Sequence, residues 1–239
     1  MANFTVHRLL DACRERGCPV CRLEGQSVER YLDNQFYENV NSPKWRDHLR
    51  LSLGFCREHA VLAEDKRSGD ALGFSIIYRD LINSVLNGWI EDRKPARAPR
   101  GWASVLGRVP EQVRARVEKV LFATTPRKHC PACEHRDETT RHTLQVLVEE
   151  LKTAEMVGAL QTSEGLCLPH FRLALEHVRD QSVCDALLTI QREKLEGLRA
   201  ELDEFIRKND YRVIKEGFGR EGDAWLRAIS MVAGSKKEK

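Results

Sequence analysis

Apolar residues recur along this chain at helical rather than strand spacing. Late in the sequence Leu195, Leu198, Leu202 and Phe205 step by three and four, the interval that gathers side chains on one face of a helix. Such a stripe serves packing, within the chain or between subunits. The same reading predicts helices over 18–40, 43–52, 56–64 and 70–92, then over 130–157, 167–178 and 181–208. No stretch alternates apolar and polar residues for the length of a strand, so the expected fold is all-α. The segment "YRVIKEGFGREGDAWLRAISMVAG" (211–234) predicts a loop and a short amphipathic helix that folds back on the body, with Trp225 as a packing anchor and "SKKEK" as a frayed tail.

The helical pattern occurs twice. "CPVC" at 18–21 falls on "CPAC" at 130–133 with an offset of 112, and "GFCREH" at 54–59 falls on "GLCLPH" at 165–170 with an offset of 111. In each half, 34 or 33 residues separate the second cysteine of the pair from the cysteine of a G-x-C-x-x-H, which marks an internal duplication. The expected organisation is a first repeat over 1–94, a basic, proline-containing linker with a short helix over 95–128, a second repeat over 129–210, and a C-terminal loop and helix over 211–239.

The repeated residues are those that bind soft metal ions. Proline after Cys18 and Cys130 suits the first position of a helix, where its missing N–H leaves no bond unmade. Each first cysteine then caps the helix and each second one lies at its third position, where free N–H groups and the helix dipole favour thiolate. Gly54 and Gly165 permit the turn into the next helix, and the i, i+3 spacing puts Cys56 with His59, and Cys167 with His170, on one face. The expected sites are Cys18, Cys21, Cys56 and His59 in the first repeat and Cys130, Cys133, Cys167 and His170 in the second, with residues 22–53 returning the chain to its start. A full Cys3His set fits structural zinc, two ions per chain. An iron–sulfur cluster with one histidine ligand is the alternative on chemistry. His129, His135 and His142 crowd the second CPxC, but their counterparts are Gly17, Leu23 and Arg30, so they read as surface or supporting groups. Cys13 and Cys184 have no matching partners and read as small buried residues.

Composition narrows the classes further. A chain of 239 residues can bury a core without staples, so its eight cysteines call for another explanation. No apolar run reaches the roughly 20 residues of a membrane span, and the N-terminus lacks a secretory h-region. A cytoplasmic protein without a membrane partner is therefore expected, and reducing conditions there favour metal or redox chemistry over disulfides. The formal charge of +3 is uneven: residues 93–128 carry ten Lys/Arg and two Glu, a local +8, which leaves −5 for the remainder.

The doubled CPxC and GxCxxH elements, "YLDNQFYENVNSP" (31–43) and the C-terminal segment resemble a family of uncharacterised bacterial and archaeal proteins defined only as a domain of unknown function. That resemblance implies the eight positions already named and no activity, substrate or partner. No nucleophile with a base, phosphate-cradling loop or carboxylate pair stands out, so a binding role ranks above an enzyme. The leading expectation is a zinc-binding helical scaffold that presents a surface to a protein partner, a homo-oligomer being compatible with it. A thiol-redox sensor is an alternative, although the βαβ setting usual for such motifs is missing. A nucleic-acid-binding protein acting through the basic linker, with Trp102 inside it, is another; weak binding is expected there.

Overall fold

The structure, a computed structural model, describes residues 2–66, 71–90, 110–210, 212 and 216–234. Among them are eleven α-helices, one 3-10 turn and no strand, as the apolar spacing predicts. The helices are α1 (Ala2–Cys13), α2 (Pro19–Glu38), α3 (Pro43–Ser52), α4 (Arg57–Lys66), α5 (Ala71–Ile90), α6 (Glu111–Thr124), α7 (Pro131–Glu150), α8 (Ala154–Thr162), α9 (Leu168–His177), α10 (Gln181–Lys208) and α11 (Ala224–Ala233). They form two compact units, Met1–Ser27 with Arg136–Lys239, and Val28–His135. Each unit draws on both halves of the sequence.

The first unit has an aliphatic core built from Leu9, Val20, Leu144, Leu147, Leu166 and Leu187, all fully buried. The helix expected over 130–157 is two. Thr153 caps α8, its hydroxyl accepting from Met156 N at 3.3 Å, and the extended backbone at the cap breaks the run after Glu150. Along α10 the residues that reach the core are Val183, Leu187, Ile190 and Gln191. The stripe that begins at Leu195 is only partly covered. Phe205 stacks on Phe218 at 5.0 Å, Lys208 Nζ donates to Glu221 Oε1 at 2.7 Å, and Arg227 pairs with Glu201 and Asp223. These contacts fold the C-terminal segment back on α10, as expected. Trp225 does not act as its buried anchor, being 47% exposed; Ala224 and Met231 face inward instead.

The second unit has an aromatic core. Phe36 stacks on Phe74 at 4.0 Å and meets Trp45 edge-on at 5.8 Å, and Leu32, Leu49 and Ile77 are buried in the same cluster. α6 packs along α5, where Gly88 admits the close approach of Ala123: a Cβ there would lie 2.8 Å from the alanine methyl. α6 is the short helix expected in the basic stretch, near 110–122. The rest of that stretch before Pro110, with Arg97, Arg100 and Trp102, lies outside the described residues.

Candidate metal centres

All four cysteine-bearing motifs build the same local structure. The carbonyls of Cys18, Cys56, Cys130 and Cys167 accept the first intrahelical bond, from Arg22, Ala60, Glu134 and Phe171 at 2.9–3.2 Å for the first three and 2.8 Å for the last. Each is therefore the N-cap of α2, α4, α7 or α9, and the second residue of each motif, Cys21, His59, Cys133 or His170, lies three residues on, at N3. Side chains at N-cap and N3 point past the same helix end. Gly54 and Gly165, at φ 86° and 83°, supply the left-handed turn ahead of two of these caps.

The eight residues gather into two groups of four that could each hold a metal ion, one of Cys18, Cys21, Cys167 and His170 and one of Cys56, His59, Cys130 and Cys133. The expectation of one site within each repeat is thus corrected. Each group takes its CPxC from one half of the sequence and its CxxH from the other. Helix length gives the reason: α2 and α7, of 20 residues, run about 30 Å from their CPxC, whereas α3 and α8, of ten and nine, return about half of that. Residues 22–53 therefore do not bring the chain back to its start.

In the first group His170 Nδ1 lies 3.6, 3.3 and 3.2 Å from the sulfurs of Cys18, Cys21 and Cys167, and Cys21 and Cys167 are 3.7 Å apart. In the second His59 Nδ1 lies 3.2, 3.6 and 3.3 Å from Cys56, Cys130 and Cys133, and Cys56 and Cys133 are 3.6 Å apart. A tetrahedral ion with about 2.3 Å to sulfur and about 2.0 Å to nitrogen has S···S edges of about 3.8 Å and S···N edges of about 3.5 Å. In each group the three S···N edges and the one S···S edge just given lie close to those values, every ligand atom is within 4.8 Å of the others, and these sulfur pairs are too far apart for a disulfide, whose sulfurs sit at about 2.05 Å. All eight cysteines are free.

The electrostatics favour a cation. Burial alone would lower the His170 pKa, yet hydrogen bonding to Cys167, Cys18, Cys21 and Glu24 outweighs it and raises it, so these groups prefer positive charge at their centre. In the second group burial, with the neighbouring Cys130 and Cys56, pushes the Cys133 thiol up to about 12, against the lowering expected from the helix start alone. That thiol needs a positive partner before it ionises. Two helix N-termini at each group offset the negative charge that three thiolates leave around a dication.

Supporting groups hold the motifs in place. Buried Gln191 accepts from Leu166 N at 3.2 Å and donates to Leu166 O at 2.8 Å, fixing the residue before Cys167. Gly17 N donates to Glu164 Oε2 at 2.9 Å, joining the approaches to Cys18 and Cys167. In the second unit Leu51 O accepts from Arg127 N and Lys128 N at 2.7 and 3.1 Å, which does the same for Cys56 and Cys130. Ser52 and Ser163 bond the turn glycines, the first donating to Gly54 O at 2.9 Å and the second accepting from Gly165 N at 3.0 Å. Sequence reasoning missed all of these, although the two serines share the 111-residue offset. It also missed Glu24, whose Oε2 lies 3.1 Å from His170 Nε2 and accepts the Thr140 hydroxyl at 2.7 Å. Burial works against the Glu24 carboxylate, but the bonds from His170 and Thr140 hold it below the usual carboxylate range.

His129, His135 and His142 belong to neither group. His135 stacks on Tyr31 at 4.5 Å, His129 is exposed with its carbonyl bonded to His48, and His142 is exposed. Cys13 is buried among the leucines of the first unit, where burial and the nearby Cys18 push its thiol up to about 11; Cys184 is half-buried. No described helix is long and apolar enough to cross a membrane.

The sequence profile of a family of unknown function, DUF6062, matches residues 5–239. The chain is also similar to the "Uncharacterized 23.9 kDa protein in xynA 3'region" of Caldicellulosiruptor sp. (strain Rt8B.4), with 26% identity over 95% of this chain and 100% of that one. No solved structure matches.

Proposed function

The chain belongs to DUF6062, a family whose description carries no activity, and we propose from its eight Cys and His residues that it is a zinc-binding helical scaffold with two structural Cys3His centres. The observation that carries this reading is that, in both groups, the three S···N edges and the Cys21–Cys167 or Cys56–Cys133 edge lie close to those of a four-ligand zinc tetrahedron. Four protein donors close the coordination shell, so the ions hold structure and no position is left for a substrate water. The compactness of the groups also supports a single ion over an iron–sulfur cluster. Their ligand atoms lie within 4.8 Å of one another, a cage too small for several irons and their bridging sulfides. Reduced, ligated thiols suit the cytoplasm.

Each ion joins a CPxC to a CxxH from the other sequence half. Zinc therefore ties segments 146 to 152 residues apart in one centre and 71 to 77 apart in the other. A scaffold of this kind presents a surface to a protein partner, and the exposed apolar side of α11, with Leu226, Ile229 and Val232, has that character. The test is elemental analysis of protein purified without chelator. Two zinc ions per chain are expected; brown protein with iron and acid-labile sulfide would replace zinc by clusters, and metal-free, folded protein would end the reading.

A further inference from the structure

A neutral imidazole offers one nitrogen to a metal and keeps its proton on the other, and nothing in the ring itself decides which. At the first centre the surroundings decide. Nδ1 of His170 faces three sulfurs at 3.2–3.6 Å, and Nε2 faces Glu24 Oε2 at 3.1 Å. A carboxylate only accepts, so the proton sits on Nε2 and the lone pair of Nδ1 is turned to the ion. We propose that Glu24, held by Thr140, is a positioning residue that fixes His170 as an Nδ1 ligand and tightens metal binding at the first centre.

The geometry is economical in sequence. Glu24 follows Cys21 by three residues on α2, so one face of the helix carries a ligand and then the acceptor for another ligand. The buried Thr140 of α7 donates at 2.7 Å to the same oxygen that takes the His170 proton, which fixes the carboxylate against rotation. The Glu24–Thr140 pair does not recur at the 112-residue offset. At the 112-residue offset Glu24 corresponds to Arg136, and Thr140 to Val28, which is buried in the aromatic core of the second unit. Glu24 and Thr140 also line an open groove of 710 Å³ with Cys21, His170, Arg141 and His177, so a change at Glu24 disturbs little close packing.

The inference rests on the zinc reading, and its test separates the two. Full-length chain carrying two zinc ions is titrated with a chelator while free thiols are alkylated, and mass mapping follows each cysteine. In Glu24→Gln the chelator activity needed to expose Cys18, Cys21 and Cys167 should fall by about 10- to 100-fold, the usual effect of losing such an outer acceptor. That for Cys56, Cys130 and Cys133 should not move. Thr140→Val, which leaves the carboxylate in place but untethered, should shift the first set in the same direction by a smaller factor. Unchanged protection of Cys18, Cys21 and Cys167 in Glu24→Gln, or equal weakening of both centres, overturns the proposal. If Glu24→Gln yields no loaded protein, unchanged protection in Thr140→Val overturns it. A wild-type chain without zinc fails earlier and sinks the zinc reading itself.

Discussion

The two candidate centres carry the same four donors at nearly the same spacings, yet they stand in unlike surroundings. Around the first, Leu144, Leu147, Leu166, Leu187 and Ile190 form an aliphatic core; around the second, Phe36, Trp45, Phe55, Phe74 and Tyr78 form an aromatic one. The first has a carboxylate behind its histidine, and a ring pair, Tyr31 with His135, packs in the second unit. The lesson is that helix starts, rather than core chemistry, define this donor set. An N-cap and N3 fix two donors locally, and any core that brings two such starts together completes the group.

The largest expected effect comes from removing a donor. Cys56→Ser should lose about one ion and unfold the second unit, and Cys167→Ser should do the same to the first. Structural zinc supplies an apparent stabilisation of about 10–16 kcal/mol in small fingers, so the loss should be on the order of several kcal/mol. Metal analysis with thermal unfolding checks this. The informative detail is which thiols become reactive: Cys130 and Cys133 after Cys56→Ser, and Cys18 and Cys21 after Cys167→Ser. Exposure of Cys18 and Cys21 in Cys56→Ser would restore the within-repeat pairing.

Acid should act next, and unequally. With Cys133 pushed up to about 12, the metal-free second unit holds its proton, which favours folding below the ordinary thiol range near 9.0 and is lost as pH rises through the raised value. Zinc must displace that proton, so the sign for metal binding is opposite. Apparent affinity at the second centre should rise with pH by up to about tenfold per unit for each thiol proton released. Zinc competition at several pH values, read centre by centre, measures it; a pH-independent second centre would contradict it.

Gln191→Ala sharpens the comparison at smaller cost. It leaves Leu166 N and O unpaired beside Cys167, which should destabilise the first unit by about 1–3 kcal/mol without touching the second. Hydrogen exchange resolved by segment would separate that from a global loss. Smallest of all, Cys184→Ser and His142→Ala should retain both ions and shift stability by no more than about 0.5 kcal/mol. Loss of an ion in either variant would enlarge the donor set.

Much of the local structure was legible in the sequence. The helix over 181–208 reads directly from its spacing and coincides with α10. Pro19 and Pro131 mark two helix starts, and the duplicated motifs name all eight donors. α1 escaped, although Val6, Leu9, Leu10 and Cys13 have helical spacing, because attention to the repeat passed over residues with no counterpart. Glu24 escaped for the same reason: comparison of the halves rewards symmetry, and Arg136 stands at its equivalent position. Thr153 was readable as an N-cap, with Glu155 in the first turn after it, yet the expected helix over 130–157 ran straight across it.

The pairing of the half-sites is another matter. Four helix starts with interchangeable donors can combine within a repeat or across repeats, and the two choices have the same residues, spacings and caps. Local interactions decide that Cys21 lies beside Cys18, and Cys133 beside Cys130, since each pair spans a single helical turn. Only long-range contacts choose between the combinations: Gly17 with Glu164 in one unit, Leu51 with Arg127 and Lys128 in the other, and the 20-residue reach of α2 and α7. The sequence by itself determined which side chains could serve as donors, because that is a property of one turn of helix; the tertiary structure decided which of them gather into one group, because that depends on where long helices end.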